Sequence, residues 1–476
     1  MQTLRLLVLG CFLLLGAMPA QGRVFLQWTE PAIPPATEIG ARDVVVPWAP
    51  GNIQLMKIAL QRGYRVFAEV NAANAVAAAD AATASALAGI IVERDSDVPG
   101  QGQVGALIVR LRKSRPGLSI LELDPGGKQP QIRGGMVVKR NGVLAVSSPT
   151  QQPWVDSNVA LARFEQAYQT SQPPLYSFRW DLTDPLEQQI GPRAADYELA
   201  IAEAGAMRSD VILPIHPNLQ KALAKGEKGA WREWDQVKAY LRFYSDQGGR
   251  PSDLLADVAL IANNYGDTYE AMNLLSRHNI PFHVLPPSDV TARRLARFQL
   301  VVMFTRPAAD AARALQKFSS AGGTVILVAQ HGPFPWDSLP AVKTSDGSRY
   351  NVGRGMILEL SEPAGDPDAF AVQVRDLLHK QGPLIYLWNA VTTLAFVYGA
   401  PQAGGMTLDL VNYAQEPLRV QVRIKGSFPK VRYETPAHGF YPAITPEFEN
   451  GFTQFVVSHL EIGARVYLDS RREQPK

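Results

Sequence analysis

Gly89-Ile90-Ile91-Val92-Glu93 is a short apolar run that stops at a carboxylate, and it belongs to a series. Working outward, Val66-Phe67-Ala68-Glu69-Val70, Val44-Val45-Val46-Pro47-Trp48 and Val24-Phe25-Leu26-Gln27-Trp28 precede it. Ile120-Leu121-Glu122-Leu123-Asp124, Val143-Leu144-Ala145-Val146-Ser147, Tyr176-Ser177-Phe178-Arg179-Trp180-Asp181 and Val211-Ile212-Leu213-Pro214-Ile215-His216 follow it. Most of these eight runs end on an aromatic or acidic residue before loop-forming residues. Repeated strand-and-helix units of this kind are how a (β/α)8 barrel reads, and such barrels carry their chemistry at the C-terminal ends of the strands.

Helical spacing fills most of the gaps. Apolar residues recur at helical intervals over 52–61, with Gly63 as the stop, and further helices are predicted over 72–87, 104–113, 156–170, 194–206 and 231–244. The rhythm breaks once. Between Asp124 and Val143, Gly126-Gly127, Gly134-Gly135 and the turn Lys139-Arg140-Asn141-Gly142 predict loops and a hairpin, leaving the barrel irregular on that side.

With 476 residues, 46% of them apolar, the chain exceeds one ordinary domain and has ample material for a core. A net charge of +3 without any dense Lys/Arg block argues against nucleic acid as a partner. Residues 1–22 place Arg5 before the apolar stretch Leu6 to Ala17 and small residues at Ala20 and Gly22, the order of a secretory signal peptide. About 12 apolar residues are too few for a stable membrane span, which needs about 20. Cys11 lies in that segment and is the single cysteine. The mature chain therefore has no disulfide, no thiolate metal site and no cysteine nucleophile, which points to a secreted or periplasmic bacterial protein.

The barrel is expected to span 23–250, with Asp246 to Pro251 as a linker. From 251 to 335 four strands, at Val258, Phe282, Leu300 and Thr324, alternate with helices and predict a small doubly wound, flavodoxin-like domain. From 336 to 476, period-two runs beginning at Gly355, Met406, Arg419, Phe452 and Arg465, interrupted by a helix over 368–378, predict an antiparallel β-sandwich.

This order of barrel, flavodoxin-like module and β-sandwich resembles that of multi-domain β-galactosidases whose middle module is similar to a class I glutamine amidotransferase. The resemblance covers nearly the whole mature chain and lies in architecture more than in motif. It implies an oligosaccharide or glycoside as substrate, no cofactor, and a middle module serving structure or homo-oligomer contact. In such enzymes the acid/base glutamate near the end of strand four follows an asparagine, whereas Glu93 follows Val92; the nucleophile after strand seven is usually a glutamate, whereas this chain has Trp180-Asp181.

Glycoside hydrolysis needs one carboxyl to protonate the leaving oxygen and another to attack the sugar or activate water. The expected catalytic residues are Glu93 and Asp181, with Glu122 as the alternative partner and Glu69 and Asp95 behind them. Trp28, Trp48, Trp154 and Trp180 fall at or just after strand ends, where flat indoles suit a sugar's apolar face. Asp124, Asn158 and His216 complete the expected substrate contacts. Each acid could instead cap a helix or pair with Arg94 or Arg179. No spaced set of His and acids predicts a metal site, and no glycine-rich loop predicts a phosphate. The second reading is a non-catalytic carbohydrate-binding or surface-assembly protein on a degenerate barrel.

Overall fold

The computed structural model describes residues 22–470 except 134–136, 141–142, 147–153, 170, 183–184, 246–252, 380–381, 401–404 and 415. The expected signal segment and the 246–251 linker thus lie outside the described residues, Gly22 apart.

Seven parallel strands form the barrel: β1 (Val24–Gln27), β2 (Asp43–Pro47), β3 (Arg65–Val70), β4 (Gly89–Glu93), β5 (Ser119–Leu123), β6 (Leu175–Ser177) and β7 (Asp210–Pro214). They pair in the order β6-β7-β1-β2-β3-β4-β5. A parallel bridge between Asp124 and Tyr176 joins the two edges, with the Asp124 amide donating to Leu175 O at 2.9 Å and the Ser177 amide to Asp124 O at 3.1 Å. The barrel reading therefore holds, with one correction. The run at Val143 is not a stave; Val143–Val146 pairs antiparallel with Val137–Arg140 in the hairpin that the Lys139–Gly142 turn predicts. Its place in the ring is left empty, so β5 meets β6 at a seam carried by one bridge.

Inside the ring, Phe25, Val45, Phe67, Ile91, Leu121, Leu123, Leu175 and Ile212 form a separate apolar core to which every strand contributes. The Phe25 and Phe67 rings meet edge to face with centroids 5.1 Å apart. Because side chains alternate across a strand, the intervening residues Leu26, Val44, Val46, Val66, Ala68, Ile90, Val92, Ile120, Tyr176, Val211 and Leu213 face the helix layer, where they join the larger core. Helices Ile53–Gln61, Ala75–Ala84, Gly102–Ser114, Val159–Tyr168, Ala194–Met207 and Lys228–Ser245 supply that layer. Gly205 lets two of them cross closely, since a β-carbon there would lie 2.3 Å from Tyr244 Cδ1.

The second unit is a sheet whose parallel strands lie in the order Phe282–Leu285, Val258–Ile261, Leu300–Met303, Thr324–Val328, Gly355–Leu360. By position in the chain this is 2-1-3-4-5, the flavodoxin-like order. Gly355–Leu360 is a correction: read in the sequence as the first sandwich strand, it is the fifth parallel strand of this sheet. Helix Pro367–His379 also belongs here, packed on helix Tyr269–Arg277 with Asp368 contacting Arg277 and His278. Beyond it, a six-stranded and a four-stranded antiparallel sheet enclose Leu408, Val422, Phe455 and Val466 as a β-sandwich.

The barrel, middle unit and sandwich share buried contacts. Tyr168 donates to Ala262 O at 2.7 Å, and Tyr398 of the sandwich donates to Ala206 O at 2.7 Å. Glu203, on helix Ala194–Met207, is fully enclosed at this junction and accepts from the Asn158 amide at 2.5 Å. Burial raises its carboxyl to about 8, against donors that lower it. A carboxyl raised above its unfolded value binds its proton more tightly in the native state, so stability falls as pH rises from the ordinary glutamate range toward 8. Glu203→Gln imitates the protonated acid. It should leave urea stability near pH 5 almost unchanged and add on the order of 1 to 3 kcal/mol near pH 8.5; equal gains at both pH values would contradict this.

Candidate functional site

The barrel mouth follows from strand parity. Two residues above the inner core, the same inward face is continued by Gln27, Pro47, Glu69, Glu93, Ser177 and Pro214. The core thus gives way to a polar row in which Gln27, Glu69 and Glu93 come from β1, β3 and β4. Gln27 Nε2 donates to Glu69 Oε2 at 2.5 Å. The Glu69 carboxyl lies above the ordinary carboxylate range because burial disfavours its charge; the Gln27 bond opposes this and the charge of Glu93 adds to it. Glu69 is half-buried and Glu93 exposed. Two carboxyls in different environments, close enough to feel each other, are the raw material of acid–base work.

Parity sorts the other expected residues. Glu93 ends β4 on the inward face. Asp181 shares the inward parity of β6, lies four residues past its end, is exposed, and has no charged partner among the described residues. Glu122 does not reach the mouth: Leu121 and Leu123 point inward, so Glu122 points to the helix layer, where it is buried and accepts from the Gly100 amide at 2.9 Å and Gln169 Nε2 at 3.3 Å. Asp124 also turns outward and pairs with Arg94, whose other arm holds Glu165. Asp95 accepts from the amides of Gln103 and Val104, capping the following helix.

Trp28, Trp48 and Trp180 do not form a sugar-binding rim. Trp28 is fully buried, its indole donating to Ala32 O at 3.0 Å. Trp180 donates to Pro214 O at 2.7 Å and packs against Phe178 and Tyr197. Trp48 is half-buried against the helix-side core. All three follow an inward residue, and parity sends them outward. The side chain of Trp154 lies outside the described residues. Asn158 is buried, its amide group bonded to the Lys128 backbone on both sides at 3.0 and 2.7 Å. His216 caps helix Pro217–Ala224, with Nδ1 toward the Asn218 amide at 3.4 Å and Nε2 against Gln188 O at 3.0 Å.

No motif in the sequence marks Gln27 or Glu69 as neighbours; extending parity upward from Phe25 and Phe67 brings both to the mouth. Among the described residues one grouping has metal-ligand proximity, His438, His459 and Glu461, on the sandwich. Their separation in sequence hid it. No helix among the described residues is long and apolar enough to cross a membrane.

No protein-family model and no curated protein sequence matches the chain. Solved structures do. Alpha-L-fucosidase isoenzyme 2 from Paenibacillus thiaminolyticus superposes with a TM-score of 0.59 at 11% identity, covering 96% of this chain and 100% of that one. The beta-galactosidase from Rahnella sp. R3 superposes with a TM-score of 0.52 at 10% identity, covering 89% of this chain and 94% of that one. At such identities the likeness concerns architecture. The chain has the fold of the multi-domain barrel glycoside hydrolases, with a parallel barrel, a flavodoxin-like sheet and a C-terminal β-sandwich.

Proposed function

We propose that this protein hydrolyses a glycosidic bond at the barrel mouth, with Glu69 protonating the leaving oxygen and Glu93 attacking the sugar or activating water. The observation that carries the reading is the placement of Glu69 and Glu93 on one inward face, with Gln27 bonded to Glu69 and Glu93 raising its carboxyl. A carboxyl biased toward its protonated form is what departure of a sugar alkoxide requires, and an exposed carboxylate beside it can take the second role. Asp181, exposed in the loop after β6, is the alternative partner for Glu93. The substrate is a small glycoside or oligosaccharide, and we place the mature protein outside the cytoplasm of a bacterium on the strength of the signal-like N-terminal segment.

The test is a panel of aryl glycosides and unlabelled oligosaccharides assayed for released aglycone and reducing ends. Turnover of at least one of them is expected. A flat panel accompanied by calorimetric binding of an oligosaccharide would replace hydrolysis with the carbohydrate-binding reading.

A further inference from the structure

His459 is the penultimate residue of strand Phe452–Leu460 and Glu461 is the first residue beyond it, while His438 arrives from the turn after strand Lys430–Thr435. Two strands that are distant in sequence thus deliver two imidazoles and a carboxylate to one spot. His459 Nε2 lies 3.2 Å from Glu461 Oε1, and His438 Nδ1 lies 3.8 Å from the same oxygen. One donor atom from each residue falls within 4.8 Å of the others. A tetrahedral zinc ion with bonds of about 2.0 to 2.2 Å needs donors roughly 3.3 Å apart. Two of the separations are already near that value, and small side-chain rotations close the remainder.

The surroundings fit an ion better than a bare ion pair. Tyr441 stacks on Tyr433 at 4.5 Å and 9° and stands beside both imidazoles, at 6.0 Å from His438 and 6.4 Å from His459, giving the rings a firm wall. The side chains of His438, His459 and Glu461 keep 52%, 41% and 31% of their exposure, so an ion can enter and keep water in its fourth position. Glu198, on the barrel helix Ala194–Met207, lies near enough for the charge of Glu461 to act on it. A cation here would offset two neighbouring carboxylates that otherwise repel across the contact between sandwich and barrel.

We infer that His438, His459 and Glu461 form a divalent transition-metal site on the sandwich, suited to zinc and separate from the barrel mouth. Two nitrogen donors and one oxygen donor favour zinc over calcium or magnesium, which prefer all-oxygen shells. Three protein ligands leave a coordination position open. No proton or electron transfer is assigned to the ion; it binds and braces.

The experiment is isothermal titration of tag-free, chelator-stripped protein with zinc chloride, repeated with magnesium chloride and with the variants His438→Ala, His459→Ala and Glu461→Gln. One zinc per chain is expected, with no saturable magnesium uptake. Each ligand variant should weaken zinc binding by at least the roughly 10- to 100-fold seen when a ligand's supporting partner is removed. Far-ultraviolet circular dichroism checks that each variant is folded, and unchanged glycoside turnover in them separates this site from the mouth. Absence of saturable zinc uptake by the unaltered protein, or uptake undiminished in the His438→Ala/His459→Ala double variant, would overturn the assignment.

Discussion

Glu69→Gln is expected to lower kcat/KM about 10²- to 10⁴-fold on glycosides with poor leaving groups, the usual worth of a positioned general acid. The loss should be far smaller on aryl glycosides whose phenolate departs without a proton. That dependence on leaving group separates an acid from a residue that merely shapes the cleft, which would affect both substrate types alike. The pH profile gives a second readout. Burial first, and then the charge of Glu93, lift the Glu69 carboxyl, so its proton persists above the ordinary glutamate range and is lost as pH rises further. The alkaline limb of the wild-type profile should therefore report Glu69 and vanish in Glu69→Gln. Glutamine can still accept from Gln27 Nε2, so the fold of the mouth is preserved.

The second large effect is on stability. Arg94→Met should destabilise the protein by about 3 to 5 kcal/mol, because it leaves the Asp124 and Glu165 carboxyls buried without their counter-charge, and burial already lifts the Glu165 carboxyl to about 8. The Arg94 side chain is 5% exposed and holds Asp124 and Glu165, whose side chains are 11% and 3% exposed. Asp124 is also the residue whose backbone joins β5 to β6, across the place where the absent strand would stand. The guanidinium thus ties the end of β4, the seam of the ring and helix Val159–Tyr168 into one unit. Urea unfolding at neutral pH measures the loss. Replacing Glu165 by Gln in the same chain should recover part of it, since a buried acid without its counter-charge is then gone; a loss under 1 kcal/mol in Arg94→Met would mean that the seam does not depend on this cluster.

The staves of the barrel were legible because each is a short apolar run bounded by turn residues; Gly89–Glu93 matches its predicted bounds residue for residue, and in the middle sheet Phe282–Leu285 and Thr324–Val328 begin where predicted. The run at Val143 has the same composition, yet its four residues pair antiparallel with Val137–Arg140, just before them in the chain. Local hairpin closure competed with the long-range parallel pairing and won. Gly355–Leu360 went astray for the opposite reason: its alternating residues suit an edge hairpin, and it does pair antiparallel with Gly347–Val352 on one side while completing the parallel sheet on the other.

The site was legible only in part because strand ends were read as points rather than as faces. Trp28, Trp48, Glu122, Asp124 and Trp180 all sit where chemistry is expected along the strand, yet each is one residue out of phase with the inner core. Phe25, Phe67, Ile91 and Leu175 set the phase, and in that phase Gln27, Glu69, Glu93 and Ser177 are the polar residues that follow. The convergence of His438 with His459 and Glu461 could not be read at all, because it depends on which antiparallel strands turn toward each other.

The measurement closest to the central claim is turnover of one confirmed glycoside by the unaltered protein, Glu93→Gln and Asp181→Asn, each with its melting temperature. If Glu69 and Glu93 are the working pair, Glu93→Gln falls to background with an unchanged melting temperature while Asp181→Asn keeps most of its rate. Full activity in Glu93→Gln would contradict the account.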